Sequence, residues 1–228
     1  MAMSSDFIHT LLLTFKLALF TTVILLVIGI PIACYLAFSK KRIKALWEAL
    51  ITMPMVLPPS VLGYYLLVAY SPDHFFGSFL ESVFNVRLAF SFAGLVVGSV
   101  LFSLPFMVSP IQSGLQNLPA SLSEAAYTLG KSRFKTLIKV LLPNIKPSLI
   151  TATVLTFAHT IGEFGVVLMI GGNIPGKTRV AAIAIYDEVQ ALNFDKANQY
   201  ALVLFTVTFV LLMLIFAFNR KSNTWKPF

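Results

Sequence analysis

A chain of 228 residues that is 57% hydrophobic and 11% charged, with 21 phenylalanines and a mean hydropathy of +0.85, is too apolar for a water-soluble fold of its size. Its formal charge of +8 would suggest nucleic acid in a soluble protein. Here the lysines and arginines sit at the ends of apolar runs, where the positive-inside bias and anionic lipid account for them, so no nucleic-acid partner is expected. The composition predicts an all-α, multi-pass transmembrane bundle. The lone Cys34 lies within an apolar run; it excludes an intrachain disulfide or a cysteine metal site and reads as a small buried hydrophobe.

The first apolar run, Leu17 to Phe38, has no basic segment before it and ends in SKKRIK, so it reads as a retained span and not a signal peptide. Five segments reach the ~20 residues a helix needs to cross a bilayer, at about 12–38, 47–70, 90–113, 148–171 and 200–218. They make one transmembrane domain over 1–228. Lys40, Lys41, Arg42 and Lys44 occupy the first connection, Lys131, Arg133, Lys135, Lys139 and Lys146 the third, and Arg220, Lys221 and Lys226 the tail. The second and fourth connections hold only Arg87, Lys177, Arg179 and Lys196, each near acidic residues. The basic connections belong in the cytoplasm, which places the amino terminus outside and the carboxyl terminus inside an inner, cytoplasmic membrane. Lys16 is near enough to the outer end of the first span to snorkel.

Prolines fall inside the spans at Pro31, Pro54, Pro58, Pro59 and Pro105. Broken helices survive at membrane depth where protein or a water-filled cavity satisfies the freed backbone, as in transporters. Pro58 and Pro59, in MPMVLPPSVLGYY, are therefore candidates for a translocation path or gate. Gly94 and Gly98 form a GxxxG step suited to close contact, either within the chain or across a dimer.

The third connection, over 121–146, interrupts this apolar pattern with SLSEAAYTLGKSRFKTLIKVLLPNIK. Ser121 and Glu124 have capping-box spacing, predicting a helix from about 122 that Gly130 ends in a left-handed turn. A second helix, Ser132 to Leu142, would put Phe134, Leu137, Ile138 and Leu141 on one side and Ser132, Lys135, Thr136 and Lys139 on the other, with Pro143 and Pro147 stopping it. An amphipathic helix on anionic lipid explains the second helix. The first, with its small Ala-Ala surface beside a glycine, suits a groove on another protein.

Glu124-Ala125-Ala126, then Gly130, then Val140-x-Leu142-Pro143 resembles the cytoplasmic EAA motif of ABC importer permeases, with valine for isoleucine at 140. The resemblance implies that Glu124, Ala125, Ala126, Gly130, Leu142 and Pro143 form a coupling segment docking on a separate ATPase, which binds ATP and Mg; this chain has no GxxxxGK[ST] loop and is expected to hold no cofactor and to catalyse no reaction itself. Nearly the whole chain resembles the molybdate permeases, through MPMVLPPSVLGYYLL (53–67), LAFSFAG (88–94), EAAYTLG (124–130), LTFAHTIGEFG (155–165) and NIPGKTRVAAIAIY (173–186). Tungstate is a near neighbour. Sulfate and thiosulfate permeases share some of these elements but tend to be longer. The resemblance implies a second copy of this chain, two ATPase subunits and an external oxyanion-binding protein as partners.

His159 and Glu163 are four apart on the fourth predicted span and would share a helix face. Two such side chains can serve a metal site, but no third ligand accompanies them and no metal is expected. Glu163, between Gly162 and Gly165, should be either protonated or held by donors such as His159 or an adjacent span. The favoured expectation is a structural bond that fixes the packing around the path. A proton-coupled carrier or channel is the competing reading, because an intramembrane acid is a default proton-relay candidate.

Overall fold

The computed structural model describes residues 5–222, and among them there is no strand. Helix α1, Ser5–Phe38, has 34 residues, about 51 Å at 1.5 Å per residue, and exceeds the ~30 Å hydrocarbon thickness. Its buried positions, among them Leu11, Thr14, Ala18, Thr21, Leu25, Gly29 and Ala33, recur at three- and four-residue spacing and form the stripe that packs on α5 and α9. α5 spans Phe92–Gln116, with Pro105 and Pro110 inside it.

The predicted second span is broken. α2, Lys44–Val56, and α3, Pro59–Tyr70, meet at 110°. Leu57 takes ψ 140° and Pro58 ψ 132°, because a residue before proline is driven out of the helical region. Pro59 then opens α3 at a first-turn position where its missing N–H costs nothing. A short α4, Phe75–Phe84, follows.

After α5 come α6, Ala120–Thr128, and α7, Arg133–Thr136. A π-turn over Leu137–Leu141 leads into α8, Leu142–Asn144. α9, Lys146–Ile161, leaves that segment at 78°. The predicted fourth span is also interrupted, since residues 162–164 separate α9 from α10, Gly165–Gly171. α11, Ala181–Gln190, and α12, Phe194–Ser222, complete the chain. Among the described residues three helices are long and apolar enough to cross a membrane singly, and the count rises to at most five, by length and composition, if each bent pair is taken as one span.

Among the described residues there are three apolar cores, the smallest joining Phe7, Leu11, Ala181, Ala184 and Tyr200 of α1, α11 and α12, and the two larger ones fill the two ends of the bundle. One gathers Leu66, Tyr70, Leu95, Phe102, Val166 and Ile170 from α3, α5 and α10. The other gathers Leu36, Ile51, Met107, Leu115, Leu141 and Ile145, so the first connection and the segment after α5 share one end. Gly98 of the GxxxG step is filled by Ile170 of α10, and Gly94 lies against the Leu88 carbonyl; that contact is within the chain.

Candidate coupling surface and helix-break site

The helix α6 begins two residues earlier than the capping-box spacing suggests. Pro119, at φ −64°, is its N-cap, and no side chain caps it; a proline with φ already fixed starts the helix before Ser121 can act as a cap. Glu124 is thereby left exposed and free of capping duty. At the other end the expectation for Gly130 holds. Its φ is +72°, its N–H donates to the Tyr127 carbonyl at 2.9 Å, and the Lys131 N–H donates to Ala126 at 3.0 Å. This is a complete Schellman turn. Nothing lies within 4 Å of where a Cβ would stand on Gly130.

The structure divides the six sequence-derived coupling residues. Glu124, Ala125, Gly130 and Pro143 face outward, Ala126 is buried, and Leu142 is half-buried against the core at that end. The alanine pair is thus not one surface, because adjacent helix residues point about 100° apart. What projects beside Glu124 and Ala125 is a set of larger groups: Tyr127, 47% exposed, and Leu129, 78% exposed.

The two-sided pattern expected for 132–142 is corrected as well. Thr136 is fully buried whereas Phe134 is 71% exposed, and Leu137, Val140 and Leu141 make the core contact. The covered face thus runs through Thr136, Leu137, Val140 and Leu141, at one- and four-residue steps, and a π-turn over Leu137–Leu141 lies within it. Ser132 does cap this segment, accepting from the Lys135 N–H.

A second constellation lies at the two helix breaks. α3 packs on α10, and a Cβ on Gly165 would stand 2.7 Å from Pro59 Cβ. The 57–58 break and the 162–164 break are therefore neighbours, which brings Pro59 beside the GEFG element. Glu163 is buried, and neither of its carboxyl oxygens has a hydrogen-bond partner of regular geometry. Its polar neighbours are the Ser99 hydroxyl, itself buried and unpartnered, and Tyr70; Tyr70 spends its own hydroxyl on the Gly94 carbonyl at 3.4 Å.

Of the donors the sequence offered for Glu163, His159 does not bond it. His159 Nδ1 instead meets Ser103 Oγ at 3.0 Å, and its ring stacks on Phe106 with centroids 3.9 Å apart. The reason is the break itself: Gly162 ends α9, so the four-residue spacing no longer implies a shared face. Among the described residues no three His, Cys, Asp or Glu side chains gather as a metal site. Tyr70 and Leu129 were missed by sequence reasoning, and no spacing signal marks them; Ser99 follows the GxxxG step and was legible only as a close-contact residue.

The NIPGKTR element forms a braced loop. Thr178 Oγ accepts from the Ile174 N–H and donates to the Gly171 carbonyl. Arg179 donates to Asn173 Oδ1 at 3.0 Å and pairs with Asp187 at 2.6 Å.

The chain matches, over residues 29–221, the family model described as "Binding-protein-dependent transport system inner membrane component". It is 43% identical over 220 residues to the molybdenum transport system permease protein ModB of Azotobacter vinelandii, covering 96% of this chain and 97% of that one. It is 34% identical to the sulfate transport system permease protein CysT of Salmonella typhimurium over 94% of this chain and 74% of that one. Among solved structures, a bacterial ABC transporter that imports alginate superposes with a TM-score of 0.79 at 16% identity, covering 97% of this chain and 82% of that one. The MetNI methionine ABC transporter in an inward-facing conformation gives 0.72 at 18%, covering 96% and 99%. At those identities the likeness shows the fold.

Proposed function

Because the chain belongs to the family of binding-protein-dependent transport system inner membrane components, we propose that it is the permease through which an ATP-driven importer moves molybdate. The observation that carries the coupling is geometric. A nine-residue helix, α6, ends in a left-handed glycine turn and stands at the basic end of the bundle with Glu124, Ala125, Tyr127 and Leu129 exposed. Such a helix suits insertion into a groove of a separate ATPase, while Ala126, Leu141 and Leu142 tie it to the spans.

In this reading the assembly holds two copies of the chain, two cytoplasmic ATPase subunits carrying ATP and Mg, and an external oxyanion-binding protein. The amino terminus is outside and the carboxyl terminus in the cytoplasm. Nucleotide-driven closure of the ATPases moves α6, and the segment 133–145 passes that motion to α9, which leaves it at 78°. The α2/α3 and α9/α10 breaks, adjoining through Pro59 and Gly165, form the part of the path that opens and closes. Molybdate is preferred to sulfate because this chain spans 97% of the molybdenum relative but 74% of the sulfate one.

The test is uptake of labelled molybdate into liposomes holding this chain, its ATPase and the binding protein. Uptake should require ATP inside the compartment that holds the ATPase, and excess sulfate should compete weakly. Uptake by this chain alone in a proton gradient would overturn the reading in favour of a proton-coupled carrier.

A further inference from the structure

At the end of the bundle opposite α6, an open cleft of about 560 Å³ lies between α1, the start of α5 and the 172–180 loop. Its α1 wall is His9, Leu12, Leu13 and Lys16, a spacing that puts all four on one helix face. Phe90 and Phe92 give it an apolar floor, and Lys177 closes the rim beside Gly176. Among the described residues no carboxylate lines it, and none of the ion pairs uses Lys16 or Lys177.

The Lys16 ammonium lies 5.0 Å from the Phe92 ring centre. The frame is held: the Phe90 N–H donates to the Ile170 carbonyl, and the loop bearing Lys177 is braced through Thr178 and Arg179.

Lys16 is nine residues from the centre of the 12–38 span, about 14 Å along the axis and close to the edge of the ~15 Å half-thickness of the hydrocarbon. Its side chain must therefore reach outward to the headgroup level. Leu12 is 60% exposed beside it and Phe20, one turn deeper, is 48% exposed.

We propose that this cleft binds an anionic phospholipid, its phosphate between Lys16 and Lys177 and an acyl chain along Leu12 and Phe20. Two unpaired cations above an apolar wall match a phosphodiester with its hydrocarbon attached, and no acid in the cleft opposes it. The inference rests on the chain being embedded in a bilayer and is independent of which ion is transported and of which end faces outside.

The experiment uses the full-length chain with its ATPase partner in neutral phosphatidylcholine nanodiscs containing a small fraction of dioleoyl phosphatidylglycerol. Native mass spectrometry counts the phosphatidylglycerol retained. One molecule per permease chain is expected to stay bound. Lys16→Gln and Lys177→Gln should each weaken it about fivefold, the equivalent of ~1 kcal/mol for one basic residue at an anionic surface, while Lys16→Arg and Lys177→Arg should retain it. Equal retention in the Gln variants, or equal retention of phosphatidylcholine, would overturn the proposal. So would displacement of the lipid by millimolar molybdate or inorganic phosphate, which would mark a site for free oxyanions.

Discussion

Gly130 and Glu163 are the two residues whose chemistry is most exposed to test. Gly130 has φ +72° and open space where a Cβ would stand, so Gly130→Leu meets no clash inside the chain and costs about 1 kcal/mol of local backbone strain. It should accumulate in the membrane at near-normal levels yet lose both co-purification with the ATPase and transport, which a pull-down and an uptake assay read separately. Normal transport would remove Gly130 from the coupling surface. Glu163 is buried with no regular hydrogen-bond partner on either oxygen, and Glu163→Gln keeps its shape. That variant should retain most uptake in the reconstituted complex. Glu163→Ala opens a void at the α9/α10 break and should lower assembly, read as a reduced yield of intact complex, with a stability loss of about 1–3 kcal/mol. Loss of uptake in the Gln variant with assembly intact would mean that the charge or the proton itself is used.

Among the elements, the pairing of α3 with α10 has the narrowest tolerance. Gly165 leaves 2.7 Å between an added Cβ and Pro59, and Gly63 leaves 2.8 Å to Met169 Cβ, so these helices touch through glycine on both sides. Gly165→Leu should separate them and destabilise the purified protein by about 1–3 kcal/mol, seen as a lower unfolding temperature in detergent. Leucine at Gly176, which has no neighbour within 4 Å at its Cβ position, should cost only backbone strain. If the two variants unfold alike, the close approach of α3 and α10 is not what holds the breaks together. The breaks themselves were partly legible. Two consecutive prolines at 58 and 59 announce a helix start, and they do open α3. The 162–164 interruption was marked only by glycines inside an otherwise apolar run, a pattern equally consistent with a continuous span packed closely on a neighbour. The π-turn at 137–141 carries no sequence signal of its own, and neither did the burial of Thr136 or the exposure of Phe134 just before it.

For the whole molecule, the sided arrangement predicts labelling. A cysteine at Pro175, exposed in the 172–180 loop, should react with a membrane-impermeant maleimide added to intact spheroplasts, in a Cys34→Ser background. A cysteine at Lys41, exposed in the first connection, should react only after lysis. A reporter joined after Phe228, which lies outside the described residues, should be active in the cytoplasm alone. The reverse pattern would invert the topology and detach α6 from any cytoplasmic motor. By itself, the sequence determined the helical membrane class, the apolar segments, the separation of strongly basic connections from those poorer in lysine and arginine, and the glycine turn that ends α6. Each depends on residues adjacent in the chain: hydropathy summed over a window, a proline that fixes φ, a glycine that permits the left-handed turn. Only the tertiary structure decided that α2 and α3 meet at 110°, that Pro59 faces Gly165, that His159 bonds Ser103 and not Glu163, and that Ala125 of α6 is exposed while Ala126 is buried. The two pairings join residues far apart in the chain, Pro59 with Gly165 and Ser103 with His159, and a helix with apolar groups on every side gives no internal sign of which side will be covered.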